Sequence, residues 1–245
     1  MFNSALSRQQ DLELRYRSAV VRDLLATGVR VARSGGLSEV NRDSVTTTLA
    51  VGLGRLYEIV LGLRNLNLYG RWAPQPGDTG STYPETRLDL LSMHDAVFDF
   101  LSLAPHGLTR AAGRGLSRIN TDPAVPRLVS ALGAYWEPTQ GGRASSQSTT
   151  GAWNGIEDAV RQTPEEHAPD LLGGPNGEPA EYLAWRRAAR ASRDSEQSSA
   201  SEQLADAVEA IWFTLGACGR DGALGHPGEI FAAEVLPDRT VSAAA

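Results

Sequence analysis

An apolar stripe between residues 49 and 63 constrains the fold of this chain more than any other sequence feature. Its members are spaced by four, three, four and three residues, which is the repeat of one helix face: Leu49, Leu53, Leu56, Val60 and Leu63. With Ile59 and Leu66 the apolar surface becomes wide enough for this helix to be mainly buried. Because no run of alternating β-branched residues occurs in the chain, the sequence predicts an all-α fold without a sheet.

Helical patterns occur on both sides of this stripe. We expect helices at about 4–33, 38–66, 82–103, 108–119, 123–136, 153–161, 179–193 and 201–217. The first places its apolar side chains at Leu12, Ala19, Val20, Leu24, Leu25 and Val29, and the third begins with a capping box formed by Thr82 and Glu85. Three glycines of the second helix are expected to mark the close approach of another helix, since each costs about 1 kcal/mol relative to alanine: Gly52, Gly54 and Gly62.

Two polar segments divide the chain. Residues 139–151 and 192–201 are rich in Ser, Thr, Gly or Gln and contain few apolar side chains to bury, so both are predicted to be flexible. The predicted organisation is a helical bundle core over residues 1–138, a flexible loop over 139–151, and a C-terminal helical extension over 152–245 that packs on the bundle.

Composition excludes several classes of chemistry. The net charge is −6. All 23 basic residues are Arg, and because the sequence contains no Lys, a Schiff-base lysine and a phosphate-binding P-loop are excluded. The single cysteine, Cys218, excludes an internal disulfide and is expected to pack as a small apolar group. The four His residues are too scattered for a metal site, so neither a metal nor a cofactor is expected. Without a signal peptide or a membrane span in the sequence, we expect a cytoplasmic protein that does not enter a membrane.

One pair of residues on the predicted third helix has the spacing of a catalytic site. Arg87 and His94 are seven residues apart, so a continuous helix would place both side chains on one face, about 10 Å apart along the axis. An imidazole can transfer a proton to or from a ribose 2′-hydroxyl, and a guanidinium can stabilise the charge that develops on a phosphate.

This spacing resembles the Arg-x(4–6)-His motif of HEPN ribonucleases. A broader resemblance to HEPN-like proteins of bacterial defence systems covers about residues 5–165: Gly52-Leu53-Gly54-Arg55-Leu56-Tyr57-Glu58 is similar to one family helix, and Met93-His94-Asp95-Ala96 is similar to the next. The chain departs from the family pattern at Gly54, Glu58 and Ala96, where the family has Glu, Lys and Leu. The resemblance implies a HEPN-like helical bundle with additional C-terminal helices, a homodimer, and metal-independent RNA cleavage with His94 as general acid/base and Arg87 as phosphate clamp.

A structural role for His94 is the alternative. Arg55, His94 and Asp95 could form a buried polar cluster between the second and third helices, in which Asp95 pairs with Arg55 and His94 forms a hydrogen bond across the helix pair. Such a histidine on an apolar helix face commonly has a structural role. Spacings of the same Arg-to-His class also occur at 161–167 and 220–226, where Pro or Gly interrupts the helix, so the motif has low specificity.

A basic run in the C-terminal part is a candidate nucleic-acid contact. Arg186, Arg187 and Arg190 lie beside Tyr182 and Trp185, and such a set could bind phosphates and stack on bases. The same pattern is also typical of a solvated helix face.

Two functions of different classes follow from these patterns. The first is a HEPN-like helical protein connected with RNA processing or with phage and stress defence, in which RNA cleavage is the expected chemistry. The second is a catalytically inert helical module that binds a protein or nucleic-acid partner.

Overall fold

The prediction of an all-α protein is confirmed. The computed structural model describes residues 6–34, 40–72, 89–103, 108–136, 149–161 and 179–237, with backbone alone for 149–152, 161 and 179–199. These residues form eight α-helices and no strand: α1 (Arg8–Arg33), α2 (Arg42–Tyr69), α3 (Leu90–Ser102), α4 (Arg110–Thr121), α5 (Ala124–Trp136), α6 (Thr149–Arg161), α7 (Pro179–Arg220) and α8 (His226–Val235).

Helix α2 occupies the centre of the bundle, as its apolar stripe predicts. It contacts α1, α3, α5 and α7, and every member of the stripe is buried. A Cβ atom built on Gly52 would lie 2.7 Å from a Leu25 methyl of α1, and one built on Gly54 would lie 2.6 Å from the Trp136 ring of α5. These two glycines therefore mark helix contacts, as expected, whereas Gly62 lies against Trp72, just beyond the end of α2.

The contact between α2 and α5 predicts that Gly54→Ala destabilises the fold. Alanine gains about 1 kcal/mol of helix propensity, but its methyl group would overlap the rigid ring of Trp136, and overpacking of this kind costs about 1–3 kcal/mol. We expect a net loss of up to about 2 kcal/mol in the free energy of unfolding, measured by urea denaturation.

Gly113→Ala is the matched control for this substitution. Gly113 lies in α4, and a Cβ atom built on it meets nothing within 4 Å. The same change should there stabilise the protein by up to about 1 kcal/mol. If Gly54→Ala and Gly113→Ala changed the free energy of unfolding equally, steric contact with Trp136 could not be the reason for a glycine at position 54.

Helix α1 has two apolar faces. One face is buried and includes Leu14 and Leu25, but Leu12, Tyr16 and Val20 are exposed on the other. The expectation that Leu12 and Val20 belong to the buried face of this helix is wrong, because they lie opposite the residues that contact the core.

The C-terminal helices pack on the bundle. Both α7 and α8 contact α1, and three ion pairs reinforce these contacts, formed by Arg15 with Glu234 and by Arg33 with Asp206 and Glu209. An Arg15 Nη1 atom lies 2.8 Å from the Glu234 carboxylate of α8, and an Arg33 Nη2 atom lies 2.6 Å from the Asp206 carboxylate of α7.

Several helix boundaries differ from the sequence prediction. The predicted flexible linker at 192–201 is wrong, since α7 is continuous from Pro179 to Arg220. Helix α6 already begins at Thr149, within the range predicted as a loop, and the sequence patterns do not predict α8.

Helix α3 begins at Leu90. Asp89 serves as its N-cap by accepting a hydrogen bond from the Ser92 backbone. The predicted capping box at 82–85 lies outside the described residues. The domain division around residues 138–152 stays a prediction.

No helix in the described ranges is both long and apolar enough to cross a membrane.

Candidate functional site

The polar centre of the bundle is a hydrogen bond between α2 and α3. The Tyr57 hydroxyl and the His94 Nδ1 atom are 2.7 Å apart and share this bond. Tyr57 is fully buried, and His94 is 4% exposed. The Phe98 ring packs beside the imidazole with a centroid distance of 4.5 Å, so the two polar atoms are enclosed by aromatic surface.

Burial keeps both groups uncharged at neutral pH. Loss of solvent lowers the pKa of His94 to about 4. Burial, assisted by the negative charge of Asp95, raises the pKa of Tyr57 well above its ordinary value. The pair is therefore a hydrogen bond between a neutral phenol and a neutral imidazole, and it satisfies two polar groups that would be costly to bury unpaired.

Arg55 and Asp95 lie on the surface, so the expectation of a buried cluster containing them is not met. Arg55 is exposed, and its Nη1 atom lies 3.0 Å from the Glu58 carboxylate, one turn along α2. Asp95 is also exposed; partial desolvation and the nearby Asp99 and Asp89 carboxylates raise its pKa. The expected hydrogen bond across the helix pair is present, but its second member is Tyr57.

The side chains of the other predicted site residues lie outside the described part of the structure. Arg87 lies outside the described residues, and α3 begins three positions after it. Arg186, Arg187 and Arg190 belong to the helical backbone of α7, while their side chains are outside the described part of the structure.

Two surface pockets formed by described residues also lie elsewhere. One pocket of about 260 Å³ is lined mainly by α1 residues together with Trp72, and another of similar volume lies between the α4–α5 corner and α7. Neither is lined by Tyr57 or His94. A substrate held in either pocket would therefore not contact the imidazole.

The described residues provide neither a cluster of metal ligands nor a reactive thiol. Among the described residues, no group of three or more His, Cys, Asp or Glu side chains could hold a metal ion. Cys218 is buried in α7, as expected for a small apolar group, and burial together with the Asp221 charge raises the pKa of its thiol to about 12. The thiol is therefore protonated at neutral pH.

Tyr57 is the residue that sequence reasoning missed. It lies four residues after Leu53 and three before Val60, within the buried stripe of α2. This spacing is the signal that could have identified it, because it places the phenol on the core face toward α3.

Comparisons with protein-family models, curated proteins and solved structures find no match for this chain. The assignment of a function therefore depends on the geometry of the chain itself.

Proposed function

We propose that this chain is a catalytically inert helical module that acts by binding a protein partner. The observation that carries the proposal is the position of His94, whose imidazole is buried and forms a hydrogen bond with Tyr57 between α2 and α3. In this interpretation the residue needed for RNA cleavage is part of the architecture.

The chemistry of proton transfer supports this interpretation. A general acid/base must come within hydrogen-bond reach of the substrate proton and is most effective with a pKa near the operating pH. His94 is 4% exposed, its Nδ1 atom is already bonded to Tyr57, and its pKa is about 4. A neutral imidazole of this kind is a poor proton donor at pH 7, and RNA could reach it only after the helices separate.

The surface supports a protein partner over a nucleic acid. The net charge of −6 opposes association with a polyanion, which usually requires a basic surface. Large apolar side chains are exposed on the outer face of α1, where Leu12 and Tyr16 are more than half exposed. Exposed apolar surface on a well-formed helix is typical of protein interaction sites.

An RNA-cleavage assay tests the absence of catalysis. The full chain, Arg87→Ala, His94→Gln and the control His226→Gln are incubated with structured RNA, and thermal unfolding is followed in parallel. We expect no cleavage above the buffer rate in any sample, and a lower Tm in His94→Gln alone. His226 serves as the control because its side chain is mostly exposed and its Nδ1 atom lies 3.4 Å from the Glu229 carboxylate, one turn along α8.

Cleavage by the unmodified chain that disappears in Arg87→Ala and His94→Gln, with the Tm unchanged, would overturn the proposal. That result would instead support the HEPN-like ribonuclease predicted from the Arg87 and His94 spacing.

A further inference from the structure

The outer face of α1 carries three exposed apolar side chains in register. Leu12 is 59% exposed, Tyr16 71% and Val20 37%, and they follow one another at four-residue spacing. At about 100° per residue, Leu12 and Val20 lie about 40° on either side of Tyr16. The buried Leu14 and Leu25 lie about 160–180° around the helix, so these three side chains, here named the outer stripe, point directly away from the core.

The outer stripe differs from the other exposed apolar positions. Val40, Leu68 and Leu103 are single residues at or near helix ends, and Phe213 is a single residue on α7 that contacts the neighbouring Trp212 ring. Within the described ranges, only the outer stripe presents large exposed apolar side chains on successive helix turns. This pattern matches the contact face of a second helix.

Charges of both signs border the outer stripe on each side. On one side Arg8 lies near the N-terminal end, about 80° around the helix from Tyr16. Asp23 lies near the C-terminal end, about 20° from Tyr16 on the same side, and its carboxylate is 3.1 Å from the Nε atom of the neighbouring Arg22. On the other side Glu13 and Arg17 lie close together and form an ion pair within the helix. All four residues are exposed.

This charge pattern is complementary to itself when α1 is reversed. Two antiparallel copies of α1 can be related by a two-fold axis that passes between them at Tyr16. This operation leaves the charges of one side of the stripe on the same side in the partner, but it reverses their order along the helix. Arg8 then faces the partner's Asp23, and Glu13 comes within reach of the partner's Arg17. In the same arrangement the two Tyr16 rings meet at the axis, and Leu12 lies level with the partner's Val20, on the opposite side of the line through Tyr16.

We infer that the outer stripe of α1 is the contact through which this chain binds a second copy of itself, in an antiparallel arrangement about Tyr16. This inference rests on the proposed function and names its partner. The segment from Arg8 to Asp23 is about 24 Å long and one helix wide. Such a contact falls at the small end of specific interfaces, so the dimer should dissociate on dilution.

Sedimentation velocity of the full chain over a wide concentration range tests the association. We expect a monomer–dimer equilibrium for the unmodified chain and at least a tenfold weaker association for Tyr16→Arg, which places a like-charged pair at the axis. Leu103→Arg is the matched control, because it introduces the same charge at an exposed apolar position at the end of α3. It should leave the association constant unchanged.

A charge-exchange experiment tests the arrangement. Arg8→Asp places two carboxylates opposite each other at both ends of the contact, and Asp23→Arg places two guanidinium groups there, so each variant alone should associate more weakly. An equimolar mixture of the two should form a heterodimer. At one end of the heterodimer contact, the carboxylate introduced at position 8 of one copy faces the guanidinium introduced at position 23 of the other. At the other end, the native Arg8 faces the native Asp23.

The outcomes separate this inference from the proposed function. A chain that stays monomeric at all concentrations, a dimer unaffected by Tyr16→Arg, or a mixture that does not recover association would overturn the inference. None of these results bears on RNA cleavage, which the preceding assay measures independently. Binding of a different protein by a monomeric chain through the outer stripe would overturn self-association and leave the interaction module in place.

Discussion

Acidification from pH 6.5 to pH 4 should remove about 3 kcal/mol from the free energy of unfolding through His94 alone. Burial lowers the pKa of this residue to about 4 in the folded protein, compared with about 6.5 in an unfolded chain. Above pH 6.5 the imidazole is neutral in both states and contributes no pH dependence. Between the two pKa values only the unfolded state binds the proton, so stability falls as the pH is lowered and the loss is complete near pH 4.

Urea denaturation at a series of pH values measures this slope. Carboxylates elsewhere also titrate in the lower part of the range, so the informative quantity is the slope for the unmodified chain minus the slope for His94→Gln. The exposed His226→Gln variant provides the control and should retain the slope of the unmodified chain. Identical slopes for all three proteins would show that His94 is accessible to protons in the folded state, which would contradict its buried position.

Trp153→Ala should produce a larger loss, of about 3–5 kcal/mol. Trp153 is 1% exposed and joins α6 to the core, where the Arg42 guanidinium of α2 lies 5.3 Å from the centre of its ring. Its Nε1 atom donates a hydrogen bond to the Glu157 carboxylate at 2.6 Å. Removal of the indole would leave a cavity where α6 packs on the core and would deprive Arg42 of its aromatic contact.

Calorimetry or urea denaturation of two further variants assigns the cause of this loss. Trp153→Phe keeps an aromatic ring below Arg42 but loses the hydrogen bond, so its stability should lie between those of the unmodified chain and Trp153→Ala. Leu103→Ala shortens an exposed side chain and should change stability by less than about 0.5 kcal/mol. An equally small effect of Trp153→Ala would contradict the docking of α6 on the bundle.

The regular helices could be predicted from the sequence because their apolar spacing is local information. The stripe of α2 and the buried positions of α5 both follow the helical repeat. Helix α8 was missed because Gly225, Pro227 and Gly228 look like helix breakers. In the structure Pro227 lies in the first turn, where proline is favoured, and Gly228 allows close packing against the Gly219 backbone of α7. That packing depends on tertiary contacts that no local pattern contains.

The polar centre was predicted in part. Burial of His94 and a hydrogen bond across the helix pair follow from its apolar neighbours on α3, but the sequence pattern names no partner for that bond and places the charged residues Arg55 and Asp95 in the same buried cluster. Arg55 and Tyr57 are two residues apart, so they lie about 200° around α2 and face opposite directions. Once the stripe defines the core face, Arg55 must point outward and Tyr57 inward. Helix geometry therefore decides between them, whereas side-chain charge does not.

The salt bridge between Arg15 and Glu234 has a consequence for the biosynthesis of the protein. It joins residues 219 positions apart, and the two helices that carry it pack directly on each other. At elongation rates of about 5–20 residues per second, α1 is made about 10–40 s before α8. During that interval the first helix lacks one of its native contacts and keeps apolar surface open to the chaperones of a producing cell. The contact between α1 and α8 therefore forms only after α8 has been synthesised.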